Sequence, residues 1–147
     1  MSNARLTRVV RFSAAHRYHR PDWSEEQNRQ AFGACANEHG HGHTYHCAVT
    51  VRGTVSSDLG MVIDLAMFDA LLQERVFRRL DHQHLNFAVP DFAYGKTIPT
   101  AEALAVWVWQ QLAPNLPDGV ALHNVRIQED ETLFADYLGD EVETPHG

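Results

Sequence analysis

The sequence predicts an α+β domain in which two helices cover one face of an antiparallel sheet. Three observations carry this: two strand-period segments near the N-terminus, two helix-period segments in the middle, and two strand-period segments near the end. A chain of 147 residues with 44% apolar residues can fill one core, and no repeat, low-complexity tract or long linker divides it. Residues 1–147 therefore read as a single domain, with its core over about 6–138 and an acidic tail over 139–147.

From Leu6 to His16 the residues alternate, with Leu6, Val10, Phe12, Ala14 and His16 on one face and Thr7, Arg11 and Ser13 on the other, which predicts a strand. Residues 17–35 are polar, broken by Pro21 and Gly33, and too long for a tight turn, so they read as a functional loop. Alternation returns from His41 to Gly53, with His41, His43, Tyr45, Cys47, Val49 and Val51 facing one way. Gly60 to Ile63 reads as a short sheet extension. Asp64 then caps a helix carrying Leu65, Phe68, Leu72 and Val76 and ending near Leu80. Thr100 caps a second helix with Ala101, Leu104, Val108 and Leu112 on one stripe, stopped by Pro114. Val120 to Glu129 and Leu133 to Leu138 close the sheet as a pair of strands, giving the order ββααββ. The other sheet face, expected to carry Val, Phe and Tyr alternations, needs cover that other copies of the chain would provide, so a homo-oligomer is expected.

Twelve Lys plus Arg against nineteen Asp plus Glu give a charge of −7, which supplies no basic field for nucleic acid or anionic lipid. No apolar run reaches the roughly 20 residues that span a bilayer, and the N-terminus lacks an apolar signal core, so a cytoplasmic protein with reduced Cys35 and Cys47 is expected. The unusual count is ten His, six of them between His16 and His46. They sit within periodic segments, unlike a terminal tag, and point to metal or proton chemistry.

Two histidines one residue apart on a strand project from the same face about 6.6 Å apart and can close on one Zn²⁺, with His16 from a neighbouring strand as a third ligand. Both His39-Gly40-His41 and His41-Gly42-His43 have this spacing and the same phase; His41 and His43 are preferred because they adjoin the regular strand. Three imidazoles leave a coordination position free, and no C-x-x-C exists for a closed structural site. Cys35, just before the cluster, reads as a fourth ligand, an inert thiol, or a proton-transfer group of lowered pKa. Cys47, in mid-strand, reads as a packed core thiol. Asp81-His82 reads either as a carboxylate fixing an imidazole's tautomer for general-base work or as plain helix-end surface residues. Glu129, on the apolar face of its strand, would suit the two adjacent N–H donors of a pterin or guanine edge, although the residues alone favour an exposed strand end beside Asp130 and Glu131.

Phe12-Ser13-Ala14-Ala15-His16, Cys35 with His41-Gly42-His43-Thr44-Tyr45, Leu80-Asp81-His82 with Leu85-Asn86, Pro99-Thr100-Ala101-Glu102 and the late Glu129 together resemble the 6-pyruvoyl-tetrahydropterin synthase and 6-carboxy-tetrahydropterin synthase family, from about Leu6 to Leu138. The resemblance implies the tunnelling fold, whose subunits join their sheets into a barrel, usually a hexamer of two trimers. It implies 7,8-dihydroneopterin triphosphate as substrate and zinc held by His16, His41 and His43. It further implies Cys35 as the proton-abstracting group, Asp81 and His82 as its relay from across a subunit interface, and Glu129 as the pterin anchor with Thr100 and Glu102 nearby. The five residues between Cys35 and His41 resemble the pyruvoyl-forming branch, and the interval of three to His39 resembles the carboxy-forming branch. Glu38 and the long 17–34 loop with Trp23 depart from the shorter carboxy-forming versions. The competing readings are the carboxy-forming activity, which serves deazapurine or queuosine synthesis, and a non-catalytic zinc-binding module. A metalloprotease is disfavoured because H-E-x-x-H is absent.

Overall fold

Strands β1 (Asn3–His16) and β2 (His41–Thr54) pair antiparallel along their whole length, from Asn3 opposite Thr54 to His16 opposite His41. The computed structural model describes residues 2–140; the tail expected to be acidic lies, from residue 141 onward, outside the described residues. Strand β4 (Ala121–Asp130) pairs antiparallel with β2, and β5 (Leu133–Tyr137) pairs with β4. A two-residue strand, β3 (Gln83–His84), lies parallel to the end of β1 and completes a five-stranded sheet of order β3-β1-β2-β4-β5.

One face of this sheet is the core. Phe12 and Ala14 of β1, Tyr45 to Val51 of β2 and Val125 and Ile127 of β4 contribute alternate buried residues to it, as their period of two requires, and Leu122 joins them across a register shift in the β2–β4 ladder. Phe12 stacks on its cross-strand partner Tyr45 at 5.0 Å. Helix α2 (Leu65–Leu72) starts at Asp64, whose side chain accepts from the Met67 N–H. It runs on through a π-helical turn (Gln73–Phe77) into α3 (Arg78–Leu80), and buries Phe68, Leu72, Val76 and Leu80 at four-residue spacing. After the short α4 (Leu85–Ala88), helix α5 (Ala101–Leu112) buries Leu104, Val108 and Leu112 against β4 and β5, and Pro114 follows its end. Among the described residues no helix is long and apolar enough to cross a membrane.

Four expectations need correction. Gly60 to Ile63 is not a strand: Ser56 donates its N–H to the Met61 carbonyl and accepts from the Gly60 N–H, closing a compact loop. Residues 17–34 are not all loop, because α1 (Glu25–Phe32) forms there behind a capping box in which the Ser24 and Gln27 side chains satisfy each other's backbone N–H. With α1 and β3 added, the order ββααββ is incomplete. Finally, the free sheet face is polar, not apolar. Its β1, β2 and β4 residues include Arg11, His46, Ala48, Arg126 and Gln128, which with Val9 line an open depression of about 350 Å³.

Candidate active site

The β1–β2 register places His16 directly opposite His41, and His43 follows two residues on, facing the same way. Their ligand nitrogens all lie within 4.8 Å of one another, and His16 Nε2 is 3.3 Å from His41 Nε2. A tetrahedral zinc with Zn–N bonds of about 2.05 Å holds its nitrogens roughly 3.3 Å apart, so this spacing fits such an ion. His16 is fully buried, and burial first, then the neighbouring His43 and His41, holds its pKa down at about 3. The ring is therefore neutral at pH 7, as a ligand must be. Its Nδ1 lies 2.6 Å from Tyr45 Oη. With the proton on Nδ1 donated to the tyrosine oxygen, Nε2 keeps its lone pair for a metal.

His39 takes no part in the cluster and sits exposed in the turn before β2. Gly40 explains how that turn meets the site. It has φ +70°, and a Cβ there would lie 2.3 Å from the His16 carbonyl oxygen, so only glycine lets the chain enter β2 beside His16.

Cys35 lies in a 3-10 turn (Gly33–Ala36) tied to the end of β1 by the Tyr18 N–H donating to its carbonyl at 2.7 Å. Its Sγ is 3.7 Å from His41 Nε2, adjacent to the histidines, although the three-residue cluster does not include it. Burial, reinforced by the Glu129 charge, raises the thiol's pKa. The protein groups alone thus act opposite to the lowering considered from sequence. Cys47 is fully buried and pushed up to about 12 by that burial, a core thiol as expected.

Glu129 corrects the expectation of an exposed strand end, for only 7% of it is accessible. The β4–β5 ladder shifts register between Gln128 and Asp130, and Glu129 turns to the core side beyond Ile127. Tyr18 Oη donates to Glu129 Oε1 at 3.2 Å, and His43 Nε2 lies 3.8 Å from Oε2. Sequence reasoning missed Tyr18: it lies in a polar loop without periodicity, and only packing brings it to Glu129.

Asp81 follows α3 directly. Its Oδ1 accepts from the Ser13 N–H at 2.9 Å and its Oδ2 lies 2.7 Å from His82 Nδ1, contacts that lower its pKa in that order. His82 is the one non-glycine with positive φ among the described residues, at 59°, and its N–H is held by the Ser13 carbonyl at 2.6 Å. Such a backbone conformation is a feature of constrained functional positions. Its ring is exposed and opens onto a cavity of about 510 Å³ that reaches the cluster at His43. Among the described residues no hydrogen bond joins this pair to Cys35 within one chain. Thr100 Oγ1 accepts from the Ala103 N–H, capping α5, and Glu102 is exposed in the first turn, close enough for its charge to act on Tyr18.

One contact chain therefore unites Cys35, the three histidines and Glu129. The family model described as 6-pyruvoyl tetrahydropterin synthase matches residues 5–140. The chain belongs to this family.

Within the 6-pyruvoyl tetrahydropterin synthase family, the human protein named 6-pyruvoyl tetrahydrobiopterin synthase is 38% identical over 137 residues, 93% of this chain and 92% of its own. A Synechocystis protein named 6-carboxy-5,6,7,8-tetrahydropterin synthase is 34% identical over 109 residues, 72% of this chain and 78% of its own. The solved structure of the Caenorhabditis elegans 6-pyruvoyl tetrahydropterin synthase superposes with a TM-score of 0.86 at 35% identity, covering 95% of this chain and 97% of that one. The Plasmodium vivax synthase structure, at 18% identity and a TM-score of 0.63, shares the fold.

Proposed function

We propose that this protein converts 7,8-dihydroneopterin triphosphate to 6-pyruvoyl-tetrahydropterin with release of triphosphate. The observation that carries the reading is the three-histidine cluster flanked by Cys35 on one side and Glu129 on the other. Those donors suit zinc, with His16, His41 and His43 as its ligands. When bound there, zinc supplies Lewis-acid polarisation of substrate side-chain hydroxyls.

Glu129, buried beside Tyr18 and His43, accepts the two adjacent N–H groups of the pterin edge as a pair of parallel hydrogen bonds. Thr100 holds the start of α5, and Glu102 lies near the same ring. Cys35 takes the proton from the side-chain carbon next to the ring. Asp81 holds His82 by Nδ1, leaving Nε2 to exchange protons with Cys35 of a neighbouring copy; the exposed His82 ring supports that arrangement. Electrons move only from the side chain into the dihydropterin ring as triphosphate leaves, so no redox cofactor is required.

The reading includes a single domain over residues 1–147 and a homohexamer of two trimers whose sheets form a barrel. Among the described residues no strand pairs with the outer edge of β5, where Leu133 and Phe134 are half-exposed, which supports this assembly. It also includes a cytoplasmic location, because a triphosphorylated substrate does not cross membranes unaided, and no nucleic-acid or membrane partner.

The test is to incubate zinc-loaded protein with 7,8-dihydroneopterin triphosphate and identify products by mass. Triphosphate and 6-pyruvoyl-tetrahydropterin are expected. A 6-carboxy product with acetaldehyde would move the assignment to the activity named for the Synechocystis relative. Absence of turnover would leave a zinc-binding module.

A further inference from the structure

Tyr18 stands outside the residues assigned above, yet it touches three of them. Its N–H donates to the Cys35 carbonyl at 2.7 Å, its ring lies 4.7 Å from the His16 ring, and its Oη donates to Glu129 Oε1 at 3.2 Å. The 17–35 segment, expected to be a functional loop, is built with α1 to hold it. Phe32 meets the Tyr18 ring edge-on and stacks in turn on Trp23, with the Arg20 guanidinium 4.8 Å from the Trp23 ring. Buried Asn28 locks the loop, accepting from the Arg20 N–H and donating to the Arg20 and Ser24 carbonyls. A phenol keeps its proton at neutral pH, so the Tyr18 hydroxyl is the donor in this pair.

We infer that Tyr18 is a positioning residue that orients the Glu129 carboxylate and so sets selectivity for a ring edge with two N–H donors over one carrying a 2-oxo group. The inference deepens the reading of Glu129 as ring anchor and rests on it. The terminal torsion of a glutamate is broad, so its carboxylate plane turns freely unless a partner fixes it. A pair of parallel hydrogen bonds needs that plane to match the ring. Tyr18 occupies one lone pair of Oε1 and leaves the others. A ring with oxygen in place of the 2-amino group would set a carbonyl against a pinned carboxylate oxygen, which repels it.

The probes are neopterin and the 2-oxo lumazine carrying the same side chain, titrated into zinc-loaded protein. Tyr18→Phe keeps the ring and its packing and removes only the hydroxyl. It is expected to bind neopterin about tenfold more weakly, on the scale of one hydrogen bond to a charged group. The neopterin-over-lumazine preference should fall by a similar factor, and the loss of turnover should reside in KM and not in kcat. Tyr18→Leu should change the preference in the same direction. In a Glu129→Ala background, adding Tyr18→Phe should change neopterin affinity by less than about twofold, because the two act as a unit. Unchanged preference in Tyr18→Phe, or an undiminished effect of Tyr18→Phe without Glu129, overturns the inference while leaving the anchor intact. Wild-type affinity for neopterin in Glu129→Ala would instead overturn the anchor, and this inference with it.

Discussion

Tyr45 Oη sits 2.6 Å from His16 Nδ1 in a fully buried pair, so the orientation of one histidine in the cluster is set by a hydroxyl on the neighbouring strand. The tyrosine cannot leave without opening the core, since its ring also stacks on Phe12. The pair therefore ties the metal-ligand geometry to the packing of β1 on β2.

Tyr45→Phe keeps the stacking and removes the hydroxyl hydrogen-bonded to His16 Nδ1. Zinc affinity should fall about 10- to 100-fold, the usual effect of losing a partner that orients a ligand. Competition against a chromophoric chelator measures it, and an affinity equal to wild type would show that Tyr45 serves packing alone.

Cys35→Ala should retain zinc, because the cluster does not include the thiol, and should lose turnover at least about a hundredfold. Metal analysis beside product assays checks both halves. Loss of zinc with the thiol would make Cys35 a ligand.

Gly40→Ala forces a Cβ against the His16 backbone at φ +70°. Destabilisation of about 2 kcal/mol or more is expected, together with weakened zinc binding, because the residue that must yield is itself in the cluster. Urea unfolding and metal content report the two effects. A stability within error of wild type would mean that the turn adapts without cost.

Arg126 grips Asp136 with two hydrogen bonds, of 2.8 and 2.9 Å, and Asn124 adds a third at 3.0 Å. The guanidinium first, then Asn124, hold the Asp136 pKa below its ordinary value. A depressed carboxylate pKa means that the unfolded state binds protons more readily. The contribution is thus complete above the unfolded value of about 3.9 and disappears as pH falls through the folded one. Asp136→Asn should cost about 1 kcal/mol at pH 7, and the difference from wild type should shrink as pH drops below about 4. Urea midpoints across pH would show it; a difference independent of pH would assign the cost to packing.

Much of this was legible in the chain. The alternation around Phe12 and Tyr45 gave both strands and their inward faces, and the caps Asp64 and Thr100 marked both long helices within a residue. Helix α1 went unread although Ser24 and Gln27 form a capping box, because the short helix has no apolar stripe and buries only Asn28. The free sheet face was misjudged because alternation identifies two faces without saying which neighbours will cover them. The histidine register was open for a related reason: His39, His41 and His43 share one phase, and only pairing of His16 with His41 excludes the first.

The sequence by itself determined which residues face inward along each strand, where the helices begin, and that imidazoles gather at one end of a β-ladder. Tertiary structure alone decided that Glu129 is buried, that Tyr18 donates to it, and that Tyr45 orients His16. The division follows from range. Periodicity is a property of neighbouring residues, whereas a hydrogen bond between residues 18 and 129 exists only after the loop, β2 and β4 have packed together.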